Sequence, residues 1–403
     1  MSSITPARRA AYEVVRRVFE HGAYADRAFA TAAGELDERD RAFAQQIAFG
    51  TVQRARALDH GIETLGRRPV RKLDPPVLAA LRIGAYQLAY LDGVPAHAAV
   101  NESVELVRRA RLERAVPFTN AVLRRLANSL RQLFDSLPDG PLKLSYPDWI
   151  AVTWERDFGH EQAIALMHVQ NEPTETTVRV VRGEVDGEPT DVPGVLRVTR
   201  VDGAALENGR IWPQSRGSAL AGLAVEAREG ERTLDVCAAP GGKATQLAGE
   251  VVAVEKHPGR ARELEENAKR LGATNVRVVC ADALELPTEL VGFDRALVDA
   301  PCSGLGVLNQ RPDLRWRAEP LPELQLALLR AAAERVKPGG AIVYSVCTMN
   351  ADENEAIVDA SGLAVDDLGA EWPAFRHPKR HEFLLTLPHV HRTSGFFIAR
   401  LKT

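Results

Sequence analysis

The chain has only four cysteines in 403 residues, Cys237, Cys280, Cys302 and Cys347, and no two of them form a C-x-x-C pair. That argues against a disulfide framework and a zinc ribbon, and leaves reduced thiols available for chemistry. Long apolar runs are also missing. The best candidate, Val77 to Leu91, is interrupted by Arg82 and falls short of the roughly 18 residues a membrane span needs. Met1 to Gly22 scatters Arg8, Arg9, Arg16 and Arg17 among apolar residues, so no signal peptide is readable and a cytoplasmic location is expected. Internal repeats and low-complexity tracts are absent, as are the phosphate-loop spacing G-x-x-x-x-G-K-[ST] and the dinucleotide spacing G-x-G-x-x-G. His377, His381, His389 and His391 lack metal-ligand spacing, and no metal is expected.

What is present is the composition of an ordinary globular protein, 45% apolar and 26% charged, long enough for two or three domains. The net charge of −3 hides an asymmetry: residues 1–134 carry 20 arginines and one lysine against 14 acids, about +7, leaving about −10 elsewhere. A basic arm suits a polyanionic partner, although arginines equally serve as solvated helix faces.

Three textures follow one another. Residues 1–134 read as an all-helical bundle: Thr5 can cap, Pro6 fits the first helical position and Gly22 can end the helix. Ala7, Ala11, Val14 and Val18 recur at helical spacing, as do Val77, Leu81, Ala85 and Leu88. Residues 135–214 open on a Pro- and Gly-rich boundary and continue as a small mixed α/β region, with strands expected over 176–181 and 195–201. From 215 to 403 short β-rich runs (233–236, 251–255, 276–279, 295–299, 341–346) alternate with helical patterns at 259–271 and 322–336, which predicts a mostly parallel sheet with crossover helices. The tail 395–401 reads as a closing strand; alternation favours core packing for Phe396 and Phe397 over stacking on a base.

In such a sheet ligands bind beyond the carboxyl ends of the strands. The first run ends in Asp235-Val-Cys-Ala-Ala-Pro-Gly-Gly-Lys243, whose Gly241 and Gly242 allow close approach of a ligand. Glu255 closes the second strand, where a carboxylate can accept two ribose hydroxyls. Asp282 follows the third, placed to accept from an adenine amino group, and Asp299 closes the fourth. Any one of these acids could be a helix cap or a surface residue; four consecutive strand ends carrying suitable groups argue for a nucleoside pocket.

Cys302 and Cys347 each follow a strand, at the same expected edge as that pocket. Spacing does not say which of them would act.

The motifs Asp235-Val-Cys-Ala-Ala-Pro-Gly-Gly-Lys243, Asp299-Ala-Pro-Cys-Ser-Gly304 and Tyr344-Ser-Val-Cys-Thr348 with Glu353-Asn-Glu355 resemble those of the RNA 5-methylcytosine methyltransferases of the RsmB/Fmu/Sun type. The first region resembles NusB-type RNA-binding domains through Asp37-Glu-Arg-Asp-Arg41, Gly84-Ala-Tyr-Gln-Leu88, Pro95 to Glu102 and Asn120 to Arg125. The likeness covers nearly the whole chain. It implies a Rossmann-like class I methyltransferase domain with a seven-stranded sheet, preceded by a NusB-like bundle and a connecting subdomain. It further implies that Cys237, Ala238, Ala239, Pro240, Gly241, Gly242, Lys243, Glu255, Asp282 and Asp299 bind S-adenosylmethionine. Cys347 then corresponds to the nucleophile and Cys302 to the residue that helps release product, with Asp299 and Lys243 at the base.

The implied substrate is an unstacked cytosine in a loop of 16S ribosomal RNA, taken by a monomer, with no membrane. Arg108, Arg109, Arg111, Arg124 and Arg125 are candidate phosphate contacts. Transfer RNA is the rival target, and a non-catalytic antitermination protein the rival class. Ser394, Glu255 and Pro213-Gln-Ser-Arg-Gly-Ser218 depart from the family pattern, none of them at the two cysteines.

Overall fold

A computed structural model describes residues 4–403, in two compact units. The first three residues of the expected 1–134 region lie outside the described residues.

Unit one comprises residues up to Glu172 together with Leu308–Arg317. Most of it is built by α1 (Pro6–His21), α2 (Ala25–Ala32), α3 (Glu38–Gln53), α4 (Ala55–Gly66), α5 (Pro75–Tyr90), α6 (Ala96–Arg109), α7 (Val116–Ser136), α8 (Asp148–Phe158) and α9 (His160–Val169). Ala7, Ala11, Val14 and Val18 on α1 and Val77, Leu81 and Ala85 on α5 are buried in one core, as their spacing predicts. Pro6 opens α1 and Gly22 closes it in the left-handed region (φ 61°). Thr5 does not cap with its side chain: its Oγ1 donates to Glu102 Oε2 (2.8 Å), because Glu102 is anchored nearby by buried Arg8 (2.8 Å).

The boundary expected at 134/135 does not coincide with the end of this unit, which runs on to Glu172 and also takes up a segment of the expected 215–403 domain. Arg56 holds the carbonyl of Tyr146 and the Asp148 carboxylate, and Gln53 donates to the Gln170 carbonyl. Arg315, 1% exposed, donates to the carbonyls of Gln53, Ser145 and Gln170 (3.3, 3.3 and 2.9 Å) and lies 4.0 Å over the Tyr146 ring. Trp316 Nε1 adds a bond to the Val52 carbonyl (2.7 Å). Carbonyls that hold both terminal nitrogens of the Arg315 guanidinium fix the segment within the helical unit, and such long-range pairing leaves no local trace in the sequence.

Unit two opens with a four-stranded antiparallel sheet, β1 (Thr177–Val180), β2 (Glu188–Pro189), β3 (Val195–Arg197) and β4 (Ile211–Pro213), in the order β2-β3-β1-β4. The larger sheet contains β5 (Arg232–Asp235), β6 (Glu250–Glu255), β7 (Val276–Cys280), β8 (Phe293–Asp299), β9 (Val336–Val346), β10 (Ala364–Asp366), β11 (Leu384–Thr386) and β12 (Phe396–Lys402). Its order is β10-β12-β9-β8-β5-β6-β7, with β11 paired to β12 as an eighth strand. β5 through β9 run parallel and β12 inserts antiparallel against β9.

The crossover helices Pro258–Leu271 and Pro322–Ala333 fall where expected. Val251, Ala253, Leu297, Val343 and Ile398 share one buried face with Leu220 and Leu264. The alternate residues Val252, Val254, Ala296, Val298 and Ile342 are equally buried, so the sheet is covered on both faces, as parallel sheets require. Phe397 is buried against Phe383 (ring centroids 5.2 Å) as core, as alternation predicts. Cys280, at the end of β7 just past the expected run 276–279, is exposed, because β7 is the edge strand.

Candidate active site

The parallel pairing of β8 with β9 sets Asp299 opposite Ser345, so the chain leaves both strands side by side. Three residues past Asp299 comes Cys302, and two past Ser345 comes Cys347. Their sulfurs lie 3.4 Å apart, in half-buried residues. A hydrogen bond from the Cys302 thiol holds the Cys347 thiol below its ordinary range against the opposing effect of burial, with Lys243 helping and Asp299 opposing. The same contact with Cys347, then burial, raises Cys302 well above the ordinary range. Of the two thiols, Cys347 is therefore the one that ionises first, with Cys302 as its hydrogen-bond donor.

Asp299 joins the thiols to the glycine turn. Its Oδ2 accepts from Lys243 Nζ (2.7 Å) and its Oδ1 from Ser345 Oγ (2.8 Å). The Lys243 ammonium also lies 5.0 Å over the Phe396 ring, which fixes it on two sides.

A cavity of about 430 Å³ opens beside Asp299 at the carboxyl ends of β5, β6, β7 and β8. Its walls include Cys237, Ala239, Glu255, Asp282 and Asp299 among the residues expected from sequence, and Pro301, Leu324 and Leu328 among those not expected. Leu324 and Leu328 stand one helical turn apart, a spacing indistinguishable from ordinary core packing. Glu255 accepts from the His257 backbone (2.8 Å) and faces Arg260 (3.4 Å). Asp282 accepts from Lys256 (2.6 Å), and that bond holds its carboxyl below the usual range. Burial pushes the Cys237 thiol up, which suits a wall rather than a nucleophile.

Ala238, Pro240, Gly241, Gly242 and Lys243 do not line the cavity. Gly241 needs its lack of a side chain for a φ of 106°, and a Cβ on Gly242 would meet the Trp212 indole at 2.5 Å, so backbone conformation at the first and packing at the second require these glycines. Arg179, 7% exposed, secures the turn by donating to the Gly242 carbonyl (3.1 Å) and Thr245 Oγ1 (3.0 Å). In the helical unit Arg109, Arg111, Arg124 and Arg125 are exposed. Arg108 is engaged by Glu105 and Glu113, and Arg125 also donates to the Leu65 carbonyl (2.9 Å).

Residues 222–402 match the model of the 16S rRNA methyltransferase RsmB/F family, and residues 5–128 match the NusB family. A relative from Synechocystis, "Probable ribosomal RNA small subunit methyltransferase B", is 35% identical over 98% of this chain and 99% of its own. The chain belongs to the RsmB/F family of 16S rRNA methyltransferases.

Two further likenesses frame this family member. A "tRNA (cytosine(72)-C(5))-methyltransferase" from Pyrococcus horikoshii is 37% identical over 49% of this chain and 54% of its own. The crystal structure of PH0851 superposes with a TM-score of 0.83 at 23% identity, covering all of both chains, which establishes the shared fold. The RsmB/F chain is thus an S-adenosylmethionine-dependent ribosomal RNA methyltransferase. The cavity fits that cofactor: it lies within the roughly 300–1,000 Å³ typical of small-molecule sites and combines three carboxylate acceptors with an apolar wall. Among the described residues no helix is long and apolar enough to cross a membrane.

Proposed function

We propose that this enzyme methylates C5 of a cytosine in 16S ribosomal RNA through a covalent bond between the Cys347 sulfur and C6 of the base. The observation that carries the reading is the pair of sulfurs 3.4 Å apart next to Asp299, itself a wall of the nucleoside-sized cavity. C5 of cytosine is too weak a nucleophile to take a methyl group unaided. Addition of the Cys347 thiolate to C6 shifts an electron pair toward C5. When bound, S-adenosylmethionine supplies an electrophilic methyl group on a sulfonium centre.

Glu255 is assigned to the ribose hydroxyls, Asp282 to the adenine amino group, and Leu324 and Leu328 to the ring face, with the Cys237 to Lys243 turn closing the pocket. Asp299 holds the N3 and amino edge of the cytosine, and Lys243 reaches its O2. Once Cys347 is bonded to carbon its charge is gone. The Cys347 charge that kept Cys302 protonated is then absent, so Cys302 releases its proton to solvent; as a thiolate it takes the C5 proton, the C5–H electron pair forms the C5=C6 double bond, and the C–S bond breaks with its electron pair returning to Cys347. The target base must be unstacked to meet both the thiolate and the methyl donor, so a loop cytosine is the substrate, with Arg109, Arg111 and Arg124 among the phosphate contacts of residues 1–134.

Digestion of ribosomal RNA after incubation with labelled S-adenosylmethionine should give 5-methylcytidine; label in any other nucleoside rejects the reading. Cys347→Ala should abolish turnover, whereas Cys302→Ala should leave a protein–RNA adduct that survives a denaturing gel. An adduct in Cys347→Ala and none in Cys302→Ala reverses the two roles. Likeness to the tRNA enzyme supports transfer RNA as a second reading, which label in purified tRNA but not in ribosomal RNA would favour.

A further inference from the structure

The Glu353 carboxylate is fully buried, and its charge acts on the Cys302 thiol. It accepts from the Ser303 backbone (2.9 Å) and hydroxyl, the Leu321 backbone (3.1 Å), Gln325 Nε2 (2.9 Å) and Asn350 Nδ2 (3.3 Å). All five of these donors are neutral. Buried Glu102, by contrast, is neutralised by Arg8, and buried Glu255 faces Arg260. Burying a carboxylate with hydrogen bonds but without a cation is costly, and its charge then acts strongly on its neighbours.

Those neighbours are the two catalytic loops. Ser303 follows Cys302, and its hydroxyl also bonds Thr348 Oγ1 (2.8 Å), which follows Cys347. Gln325 ties the same carboxylate to the carbonyl of Pro301 (2.9 Å), and the Tyr344 hydroxyl donates to the Glu353 carbonyl (2.6 Å) from β9. Glu353 therefore grips the Cys302 loop on both flanks of that cysteine. The charged and titratable groups facing the thiols divide accordingly: Glu353 acts on Cys302, with the buried Tyr344 phenol beside it, whereas Lys243 and Asp299 act on Cys347.

We propose that Glu353 is a positioning residue that polarises the cysteine pair, its uncompensated negative charge keeping the proton on Cys302 and so leaving the thiolate on Cys347. This rests on the assignment of Cys347 as nucleophile and explains how two thiols in contact take different roles. An isosteric neutral side chain at 353 releases the Cys302 proton more easily and narrows the difference between the two thiols, while the Cys347 contact and burial remain.

The test is the pH dependence of iodoacetamide alkylation at each cysteine, read by mass spectrometry of the two peptides, on the full chain without RNA or cofactor. In the unmodified protein Cys347 should react at neutral pH and Cys302 only at strongly alkaline pH; Cys302 reacting first overturns the proposal without any variant. In Glu353→Gln the rate at Cys302 near pH 9 should rise about tenfold or more, equivalent to a fall of one pKa unit. Ser303→Ala removes a hydroxyl but keeps the charge, and should leave the order of reactivity intact. If Ser303→Ala and Glu353→Gln shift Cys302 equally, or neither does, Glu353 is a brace alone and the proposal fails. Because no substrate is present, a chain that methylated another atom would still show the same thiol order, so this outcome and that of the nucleoside analysis are independent.

Discussion

Asp235 ends β5 with 1% exposure; one oxygen accepts weakly from the Cys237 backbone (3.4 Å) and the other has no hydrogen-bond partner among the described residues. Burial, with the Asp299 charge adding to it, pushes its carboxyl from 3.8 up to about 7. The folded state thus binds more protons than the unfolded one between those values, so this carboxyl's contribution to stability is full below about pH 4 and drains away as the pH rises to about 7. Asp235→Asn should accordingly raise Tm at pH 8, by an amount bounded at about 4 kcal/mol, and leave it nearly unchanged at pH 4. Equal shifts at both pH values in thermal unfolding would show that burial of this charge is not the cause. The sequence displays Asp235 only as the first letter of a motif; that it is a costly buried acid emerges once β6 and β8 flank it.

The Cys302 and Cys347 loops are set against each other by backbone contacts between elements. Gly306 donates to the Cys347 carbonyl (2.9 Å), and Gly395, just before β12, donates to the Gly306 carbonyl (2.8 Å). A Cβ on Gly306 would lie 2.0 Å from the Gly395 carbonyl oxygen, and backbone cannot swing aside as a side chain can. Gly306→Ala should therefore cost roughly 1–3 kcal/mol in denaturant unfolding and displace the Cys302 loop. A misplacement of about 1 Å costs up to about a hundredfold in turnover, and a kcat within about twofold of the parent would contradict this account. Gly93→Ala, with nothing within 4 Å of the added carbon, is the matched control and should be silent. Both glycines look alike in the sequence, since close approach is a property of two distant segments.

At the scale of the whole molecule, residues 308–317 belong with the helical unit although they directly follow the Cys302 loop in the chain. Cutting the protein at 134/135, where its texture changes, would strip Arg315 of the Gln53 carbonyl and Trp316 of the Val52 carbonyl. It would also break the bonds of Arg56 to the Tyr146 carbonyl and Asp148 and of Gln53 to the Gln170 carbonyl. The 135–403 fragment should be largely insoluble, and a soluble fragment with a cooperative melt would refute this division. RNA docking is better tested with the chain intact. Arg109→Gln with Arg124→Gln should lower the slope of log affinity against log salt by roughly 0.7–0.9 for each phosphate no longer neutralised, and an unchanged slope removes both from the docking surface.

The sequence by itself determined the order of elements, the covered parallel sheet, the four strand ends that carry polar groups, and the two motif cysteines that follow strands. Each depends on local periodicity or on short motifs whose chemistry travels with them. Only the tertiary structure decided that Cys302 and Cys347 touch, and that Gly242 of the first motif makes room for Trp212. It also revealed Glu353 as a buried charge held by neutral donors, and returned a ten-residue stretch of the expected catalytic domain, 308–317, to the helical unit. Those are matters of pairing between residues far apart in the chain, and distance, burial and proton sharing exist only once the pairs have formed.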